Sequence, residues 1–343
     1  MLSHFNDGGF KVQSIGKALV TGGAGYIGSH VTLALLEAGW EVVVIDDLST
    51  GRREAVAPGA ALVIGDVGDA DTIAAVFQKH RPNTVLHFAG SIVVPESISN
   101  PLKYYRNNTS ASRTLIEAAV NGGVGAFVFS STAAVYGVPE RVPVGEESAK
   151  MPINPYGTSK LCTEFMLRDV AAATAMRYVA LRYFNVAGAD PQGRAGQSTP
   201  NATHLIKVAC ETVVGKRRYF EIFGDDYPTP DGTCVRDYIH VSDLAAAHVA
   251  AIQYLVGGGA SDVFNCGYGH GYSVKEVADV VRRVGGGPLD IRMAPRRAGD
   301  PPQLVADSAK LRARFGWQPR YDDLDFIVET ALAWEQRSPT AIA

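Results

Sequence analysis

The sequence has few cysteines, no long apolar run and almost no net charge. Its 343 residues include four cysteines, and 32 basic residues stand against 35 acidic ones, for a formal net charge of -3. No apolar run approaches the roughly 20 residues that a membrane span requires. The cysteines are far apart and form no C-x-x-C pair, so we expect reduced packing residues and no metal or disulfide site. The near balance of charge predicts neither a nucleic-acid partner nor a membrane partner.

The N-terminal region also lacks a recognisable targeting signal. The first twenty residues contain no basic start followed by an apolar stretch and a cleavage site, so we expect a cytoplasmic chain. Residues 1–16 are polar, contain glycine and follow no period, which predicts a flexible N-terminal extension. Glycine is plentiful, with 36 residues, and the positions of the glycines are informative.

From Lys17 onward, apolar β-type runs alternate with helical patterns. Strand-like runs lie at 18–20, 42–45, 62–64, 84–88, 127–130 and 179–183, and helical patterns lie at 28–38, 71–79, 102–121 and 156–173. Such alternation predicts an α/β fold with helices on both faces of a parallel sheet. We predict a Rossmann-type doubly wound parallel sheet of about six strands at 17–184, followed by a smaller mixed α/β substrate domain at 185–343. The boundary is interleaved, because 263–265 can return to the first sheet.

A glycine-rich turn joins the first predicted strand to the first helix, at 22–28. Gly22 permits a tight turn, Gly25 lets the backbone approach a pyrophosphate, and Gly28 lets the helix pack closely on the strand. Asp46 ends the second strand eighteen residues after Gly28, where a carboxylate accepts hydrogen bonds from an adenosine ribose. Because an acid there repels a 2′-phosphate, the pattern predicts NAD as the cofactor in preference to NADP.

Tyr156 and Lys160 stand four residues apart at the start of a predicted helix, which places the phenol and the ammonium group on one face. A tyrosine base that works near pH 7 needs its pKa lowered from about 10 by roughly 3 units, or about 4 kcal/mol. One cation at about 4 Å supplies energy of that order. Thr132, at the end of the fifth strand, is the candidate for a hydrogen bond to the reacting oxygen. The set suits removal of a proton from an alcohol while NAD takes its hydride.

These motifs resemble those of the extended short-chain dehydrogenase/reductase family, over a stretch from Lys17 to about Trp334. The resembling segments are the glycine-rich turn, 87–90, 154–160, 181–185, 222–229, 235–241 and 294–300. The last three are the most specific, and they resemble members that invert C4 of a UDP-sugar. The resemblance implies an NAD-dependent isomerase that interconverts UDP-glucose and UDP-galactose through a transient 4-keto intermediate. It also implies a homodimer that forms through the helices at 102–121 and 156–173. Leu161 and Phe165 of the second helix fit either this interface or the core.

The resemblance also implies roles for particular residues. Tyr156 is the base, Lys160 binds the nicotinamide ribose and lowers the pKa of the phenol, and Thr132 assists at the sugar 4-OH. The other residues that it places at the cofactor are Gly22, Gly25, Tyr26, Ile27, Gly28, Asp46, Asp47, Asp66, Val67, Phe88, Ala89, Asn107 and Tyr183. The other residues that it places at the UDP-sugar are Asn185, His204, Leu205, Glu221, Phe223, Arg236, Arg297 and Asp300.

Without the resemblance, some of these residues have ordinary explanations. Asp66 is equally explained as a helix cap. Arg236 and Arg297 are equally explained as surface arginines that are solvated or form structural ion pairs. His204 is equally explained as a buried histidine with a structural role.

Two positions depart from the family pattern. Ile92 stands in a loop where the family often has a lysine near the nicotinamide, so stabilisation of the cofactor charge rests more heavily on Lys160. Leu304 stands four residues after Asp300, where members strict for glucose and galactose carry tyrosine and members tolerant of N-acetyl groups carry a small residue. Its intermediate size leaves UDP-N-acetylhexosamines open as substrates, and with them a UDP-GlcNAc 4-epimerase activity.

Three further alternatives belong to other reactions or classes. A sugar-nucleotide 4,6-dehydratase needs an acid and a base, Asp-Glu, after the threonine, and Ala133-Ala134 stand there instead. A UDP-glucuronate decarboxylase stays open, and it would release a pentose and CO₂. A non-catalytic NAD sensor has no need of an intact Tyr156, Lys160 and Thr132 set, and it leaves the two arginines unexplained.

Overall fold

The structure is a computed structural model that describes residues 15–297 and 299–337. The expected flexible extension at 1–16 therefore lies outside the described residues, except for its last two. The strands are β1 Lys17–Thr21, β2 Glu41–Asp46, β3 Ala61–Ile64, β4 Thr84–His87, β5 Ala126–Thr132, β6 Arg177–Tyr183, β7 Asn185–Ala187, β8 Phe220–Phe223, β9 Val235–Arg236, β10 Tyr238–His240, β11 Asp262–Cys266, β12 Tyr272–Ser273, β13 Ile291–Ala294 and β14 Gln303–Leu304. The helices are α1 Tyr26–Glu37, α2 Ala70–His80, α3 Val94–Ser99, α4 Pro101–Tyr104, α5 Ala111–Asn121, α6 Pro155–Ala173, α7 Leu205–Val213, α8 Val241–Val256, α9 Val274–Gly285, α10 Ala309–Phe315 and α11 Leu324–Arg337.

In the part of the chain that the structure describes, seven strands form one parallel sheet in the order β3-β2-β1-β4-β5-β6-β11. The strand order reverses direction between β1 and β4, and ligands of doubly wound sheets bind at the carboxyl ends of strands at such a point. β1 and β5 are almost wholly buried, which explains why they read as continuous apolar runs. The predicted sheet is confirmed, with β11 as its seventh strand.

β11 joins the main sheet from the second half of the sequence. It pairs with β6 in parallel, with Phe264 opposite Leu181. One buried apolar cluster contains Val20 of β1 and Leu181 of β6 together with Ile239 and Val328 from the second half. The two halves therefore share a hydrophobic core.

The remaining described strands form three small sheets: β7 with β10, β8 with β13, and β9 between β12 and β14. The pair β9 and β12 is antiparallel and the other pairs are parallel, so this half is mixed, as predicted. No helix among residues 15–297 and 299–337 has the length and apolar character needed to cross a membrane.

The predicted helix at 102–121 is interrupted by a π-helical segment. α4 is followed by π-helix over Tyr105–Ser110, and α5 then continues to Asn121. The wider turn leaves the carbonyl oxygen of Asn108 available to side chains, and it accepts from Ser112 Oγ at 2.6 Å and Thr163 Oγ1 at 2.8 Å. Such segments occur frequently at functional sites. This one faces the loop after β4 and helix α6.

Candidate active site

The glycine-rich turn forms a cradle at the N-terminus of α1. Gly22 has φ +69°, and a Cβ on it would lie 2.7 Å from the amide nitrogen of Ala89. A Cβ on Gly28 would overlap the carbonyl oxygen of Gly22. A Cβ on Gly25 would contact only that same oxygen, at 3.2 Å, so the outer side of Gly25 is open. The cradle and the helix N-terminus therefore fit the pyrophosphate of a dinucleotide.

Asp46 closes the cradle from the end of β2. Its Oδ2 accepts from the amide of Ala24 and its Oδ1 from the amide of Leu48, each at 2.9 Å. Burial raises the pKa of this carboxyl, and the two amide bonds oppose that shift. Each carboxylate oxygen has a second lone pair, so Asp46 can still accept from ribose hydroxyls. The exposed Asp47 accepts from the amide and the hydroxyl of Ser49.

Asp66 does not cap the following helix. The cap of α2 is Asp69, whose Oδ1 accepts from the amides of Asp71 and Thr72 at 3.0 and 2.9 Å. Asp66 is exposed and accepts from the amide of Gly68 at 2.8 Å. The helix-cap alternative is therefore wrong, and Asp66 remains at the carboxyl edge of the sheet beside the buried Val67.

Tyr156 lies in the first turn of α6, a helix capped by Asn154, whose Oδ1 accepts from the amide of Gly157 at 2.9 Å. The side chain of Thr132, at the end of β5, lies next to the phenol. Burial raises the pKa of Tyr156, and hydrogen bonding by Thr132 favours the charged form and acts in the opposite direction. The structure thus brings together the predicted base and its predicted hydroxyl partner.

Lys160 lies one turn further along α6, with its side chain buried. Its Nζ donates to the carbonyl oxygen of Ser130 at 3.0 Å and lies 5.0 Å from the centre of the Phe129 ring. Burial lowers the pKa of Lys160 to about 8. Burial dominates the pKa of Tyr156, so the lowering of that pKa by Lys160, which the resemblance implies, stays a prediction.

A buried polar network supports the end of β5. Ser131 Oγ donates to Glu164 Oε1 at 2.5 Å. Arg182 of β6 binds both carboxylate oxygens of Glu164, at 2.9 and 2.6 Å, and also donates to Tyr136 Oη at 2.9 Å. This network was not predicted, although an arginine inside the apolar strand β6 is a signal for it. The Ser130 hydroxyl, by contrast, bonds the phenol of Tyr183 at 2.5 Å, and burial raises the pKa of Tyr183.

The loop after β4 is fixed to α6 through the π-helical segment. Asn108 Oδ1 accepts from the amide of Ser91 at 2.7 Å, while its Nδ2 donates to the Ser91 carbonyl oxygen at 3.0 Å and to Ser159 Oγ at 3.1 Å. The neighbouring Asn107 donates to Ser91 Oγ at 3.0 Å. Asn107 was predicted, whereas Asn108 was missed because its partners are distant in sequence. Ile92 lies in this loop and is partly exposed.

A directional chain of hydrogen bonds anchors Phe88 and Ala89. Both of their amides donate to Thr21 Oγ1, at 3.2 and 3.3 Å. His87 links Thr21 to Ser112, with its Nδ1 2.7 Å from Thr21 Oγ1 and its Nε2 2.8 Å from Ser112 Oγ. Ser112 donates to a carbonyl oxygen, so it accepts from His87 Nε2. Thr21 Oγ1 already accepts from two amides, so it donates to Nδ1, and His87 is neutral with its proton on Nε2. Burial lowers the pKa of His87 to about 3, which agrees with this assignment.

Tyr26 and Ile27 begin α1, directly after the cradle. The Tyr26 hydroxyl donates to the carbonyl oxygen of Gly188 at 2.6 Å, so the first turn of α1 is tied to the second half of the chain. Ile27 packs against the shared core.

The predicted UDP-sugar residues form two contacting groups in the second half. Arg297 lies over the Phe223 ring at 3.6 Å, and Glu221 of the same strand is exposed. Arg236 Nη2 lies 3.8 Å from Asp300 Oδ1, and its Nη1 donates to the carbonyl oxygen of Val235 at 2.9 Å. Guanidinium groups bind diphosphate oxygens in a bidentate manner.

The other three lie on neighbouring elements. Asn185 begins β7, and Leu205 begins α7. His204 precedes that helix and its Nδ1 lies 2.7 Å from Gln197 Nε2. Burial lowers the pKa of His204 to about 4.

The doubly wound sheet has a glycine cradle at its switch point, and the same edge carries Thr132, Tyr156 and Lys160. This combination defines a dinucleotide-dependent enzyme that acts on an alcohol group. The NAD dependent epimerase/dehydratase family matches residues 18–267, and the chain belongs to this family. The NAD dependence in the family description confirms the predicted cofactor.

Individual relatives and solved structures are similar to the chain over nearly its whole length. The chain is 59% identical over 320 residues to the UDP-glucose 4-epimerase of Azospirillum brasilense, and the matched residues cover 93% of this chain and 92% of the relative. The crystal structure of UDP-glucose 4-epimerase from Bifidobacterium longum in complex with NAD+ and UDP has a TM-score of 0.91 and 37% identity, over 95% of this chain and 100% of that one. The UDP-Glc/GlcNAc 4-epimerase of Campylobacter jejuni has a TM-score of 0.82 and 47% identity, over 94% and 100%.

Proposed function

We propose that this chain is an NAD-dependent isomerase that interconverts UDP-glucose and UDP-galactose by inverting sugar C4. The observation that carries the proposal is the placement of the buried Tyr156 and Lys160 one turn apart on α6, next to Thr132 at the end of β5 and at the switch-point edge of the sheet. Proteins named for this activity are similar to the chain over nearly its whole length, including the substrate half.

Tyr156, Thr132 and Lys160 divide the acid-base work. Thr132 donates or accepts a hydrogen bond at the sugar 4-OH, and Tyr156 Oη removes the proton of that hydroxyl. The glycine cradle and Asp46 would hold NAD, which would supply a hydride acceptor for C4 and a hydride donor for the other face of the 4-ketose. Lys160 binds the nicotinamide ribose and stabilises the phenolate electrostatically. Tyr156 then returns its proton to the new C4 hydroxyl.

Inversion requires the sugar to turn while the rest of the substrate stays bound. We assign the diphosphate to Arg236 and Arg297, whose side chains are held by Asp300 and Phe223. The other proposed UDP-sugar residues are Asn185, His204, Leu205 and Glu221. The proposed NAD residues are Gly22, Gly25, Tyr26, Ile27, Gly28, Asp46, Asp47, Asp66, Val67, Phe88, Ala89, Asn107, Tyr156, Lys160 and Tyr183.

Turnover of UDP-galactose by the purified protein tests the function. We expect UDP-glucose as product without added NAD, and an absorbance band of reduced nicotinamide when UDP-sugar is mixed with the protein. Binding of NAD and UDP without turnover would favour a sensor. Release of a pentose and CO₂ from UDP-glucuronate would favour a decarboxylase.

Leu304 is the proposed determinant of N-acetyl tolerance. It is buried in an apolar cluster with Ala133, Leu161 and Phe184. Ala133 directly follows Thr132 in the sequence. A tyrosine there fills space that an N-acetyl group needs. We expect Leu304→Tyr to lower kcat/KM for UDP-GlcNAc by about tenfold or more, with UDP-galactose changed much less. The volume-conserving Leu304→Met is the control, and equal losses for both substrates would contradict the assignment.

We also propose a cytoplasmic homodimer that forms through α5 and α6 with the segment before α5. Leu102 of α4 and Phe165 of α6 are 77% and 46% exposed in the single chain. Apolar residues that a partner chain covers in a dimer are exposed in this way. Leu161 is buried in the chain's own core, which was its alternative prediction, and it is not part of this proposal. Sedimentation velocity tests the proposal, and the mass of one chain at micromolar concentration would contradict it.

A further inference from the structure

Asp237, between β9 and β10, is a wholly buried acidic residue that none of the roles above uses. Its exposed fraction is 0%. Its Oδ1 accepts from the amide of Tyr268 at 2.9 Å, and its Oδ2 accepts from the amides of Gly269 at 3.0 Å and Ala306 at 3.2 Å. A Cβ on Gly267 would lie 2.6 Å from Oδ2, so the carboxylate fills its space closely. Three backbone amides thus converge on one side chain.

The backbone of Asp237 makes two more connections. Its amide donates to the carbonyl oxygen of Leu304 at 3.2 Å, and its carbonyl oxygen accepts from the amide of Asn185 at 2.9 Å. Arg236 precedes it and lies opposite Leu304 in the pairing of β9 with β14. One residue therefore joins β7, β14 and the loop after β11. Asn185 lies in β7, Leu304 lies in β14, and Arg236 is paired with Leu304.

We propose that Asp237 is a positioning residue for the UDP-sugar site, a proposal that rests on the proposed function. Its carboxylate holds the amides of Tyr268, Gly269 and Ala306 around the strand that carries Arg236. The guanidinium and the Asn185 backbone are thereby kept at a defined separation. An asparagine offers one acceptor oxygen and places an NH₂ group against backbone donors, so at least one buried amide loses its partner. The strand then shifts, and the substrate residues shift with it.

Asp243 provides a matched control. It is also buried, with 2% exposure, and it also binds backbone amides: Oδ1 accepts from Arg320 and Oδ2 from Tyr321, each at 2.9 Å. Its Oδ2 additionally accepts from the Tyr268 hydroxyl at 2.7 Å. These partners belong to the segment before α11 and to Tyr268. Asp243→Asn therefore removes an equivalent acceptor away from Asn185 and Arg236.

The experiment compares Asp237→Asn, Asp243→Asn and wild type, each as the full chain with its NAD content measured. We expect Asp237→Asn to raise KM for UDP-galactose and the Kd of UDP by about tenfold, with kcat within about threefold of wild type and NAD content unchanged. Both variants should lower the unfolding midpoint by a similar amount. Asp243→Asn should nevertheless leave KM and the Kd of UDP unchanged. Equal KM values in the two variants would overturn the proposal.

Gly267→Ala is a second variant that displaces the carboxylate without removing it, and it replaces Asp237→Asn if that variant does not fold. It should raise the Kd of UDP in the same direction, and an unchanged Kd would overturn the proposal. UDP binding is measured by calorimetry, separately from turnover. Lack of turnover in wild type would contradict the proposed function, whereas equal UDP affinities would contradict the role of Asp237.

Discussion

Replacement of Tyr156 by phenylalanine is expected to lower turnover of UDP-galactose by about 10³-fold, because a positioned acid-base group contributes about 10²- to 10⁴-fold. The variant lacks the phenol oxygen, next to Thr132, that we propose as the base for the 4-OH proton. Its ring remains, packed edge-on against Tyr104 with ring centres 6.5 Å apart. The NAD cradle is formed by other residues, so purified Tyr156→Phe should keep its NAD. The measurements are the initial rate and the NAD released on denaturation.

Tyr104→Phe is the matched control for this prediction. Tyr104 is also buried beside Tyr156, but its single hydroxyl proton is shared between the carbonyl oxygen of Val93 at 2.5 Å and Glu96 Oε2 at 2.9 Å. Loss of that hydroxyl removes the hydrogen bonds to Val93 and Glu96, but it leaves the phenol oxygen of Tyr156 in place. We expect its kcat to stay within about tenfold of wild type. Normal turnover by Tyr156→Phe would refute the assignment of the base.

Lys160→Met is expected to lower turnover by about 10²-fold or more and to reduce the NAD content of the purified protein. Methionine matches the length of the stem and packs against Phe129, but it carries no charge. The variant loses the ammonium group that we propose to bind the ribose and to stabilise the phenolate, whereas it keeps the apolar contacts. Lys160→Arg, which keeps a cation but changes its shape, should retain more NAD than Lys160→Met.

Stability should change in the opposite direction from activity. Burial lowers the pKa of Lys160 from 10.5 to about 8, so the folded chain carries a costly buried charge at pH 7. Lys160→Met removes this cost, which the pKa shift puts at up to about 3 kcal/mol, less the loss of the bond to Ser130. We expect the NAD-free variant to unfold at an equal or higher urea concentration than NAD-free wild type. A large loss of stability would indicate a structural role for Lys160.

The pH dependence of stability provides a second test of Lys160. Between pH 8 and 10.5 the unfolded chain keeps the proton that the folded chain has lost, so the free energy of unfolding of wild type should rise with pH. Below about pH 8 both states are protonated and this contribution is constant. The comparison of wild type with Lys160→Met isolates it from other titrating groups, and identical slopes over this window would contradict the low pKa.

Much of the cofactor site could be predicted from the sequence because its causes are local. Gly22 must adopt a positive φ, and Gly28 must bring α1 close to the turn; both needs belong to a single strand-turn-helix unit. Asp46 follows from the end of the next strand. The alternation of apolar runs likewise predicts a parallel sheet, since strands buried on both faces lack polar alternation.

Other features depend on residues that are distant in the sequence. Leu161 faces the core with Ala133 and Phe184, because the packing of neighbouring elements covers its side chain. Asn108 and Asp237 gained their importance from amides that meet them only in the folded chain.

The sequence by itself determined the class of sheet, the cradle for a dinucleotide and the pairing of Tyr156 with Lys160, since each is written in short-range spacing. Only the tertiary structure decided the electrostatic state of that pair. Burial raises the pKa of Tyr156 and lowers that of Lys160, both against their charged forms. Desolvation depends on every element packed around a group, so spacing along one helix cannot reveal it. The arrangement of Arg236, Asn185 and Leu304 around Asp237 has the same origin, in strands that pair across the fold.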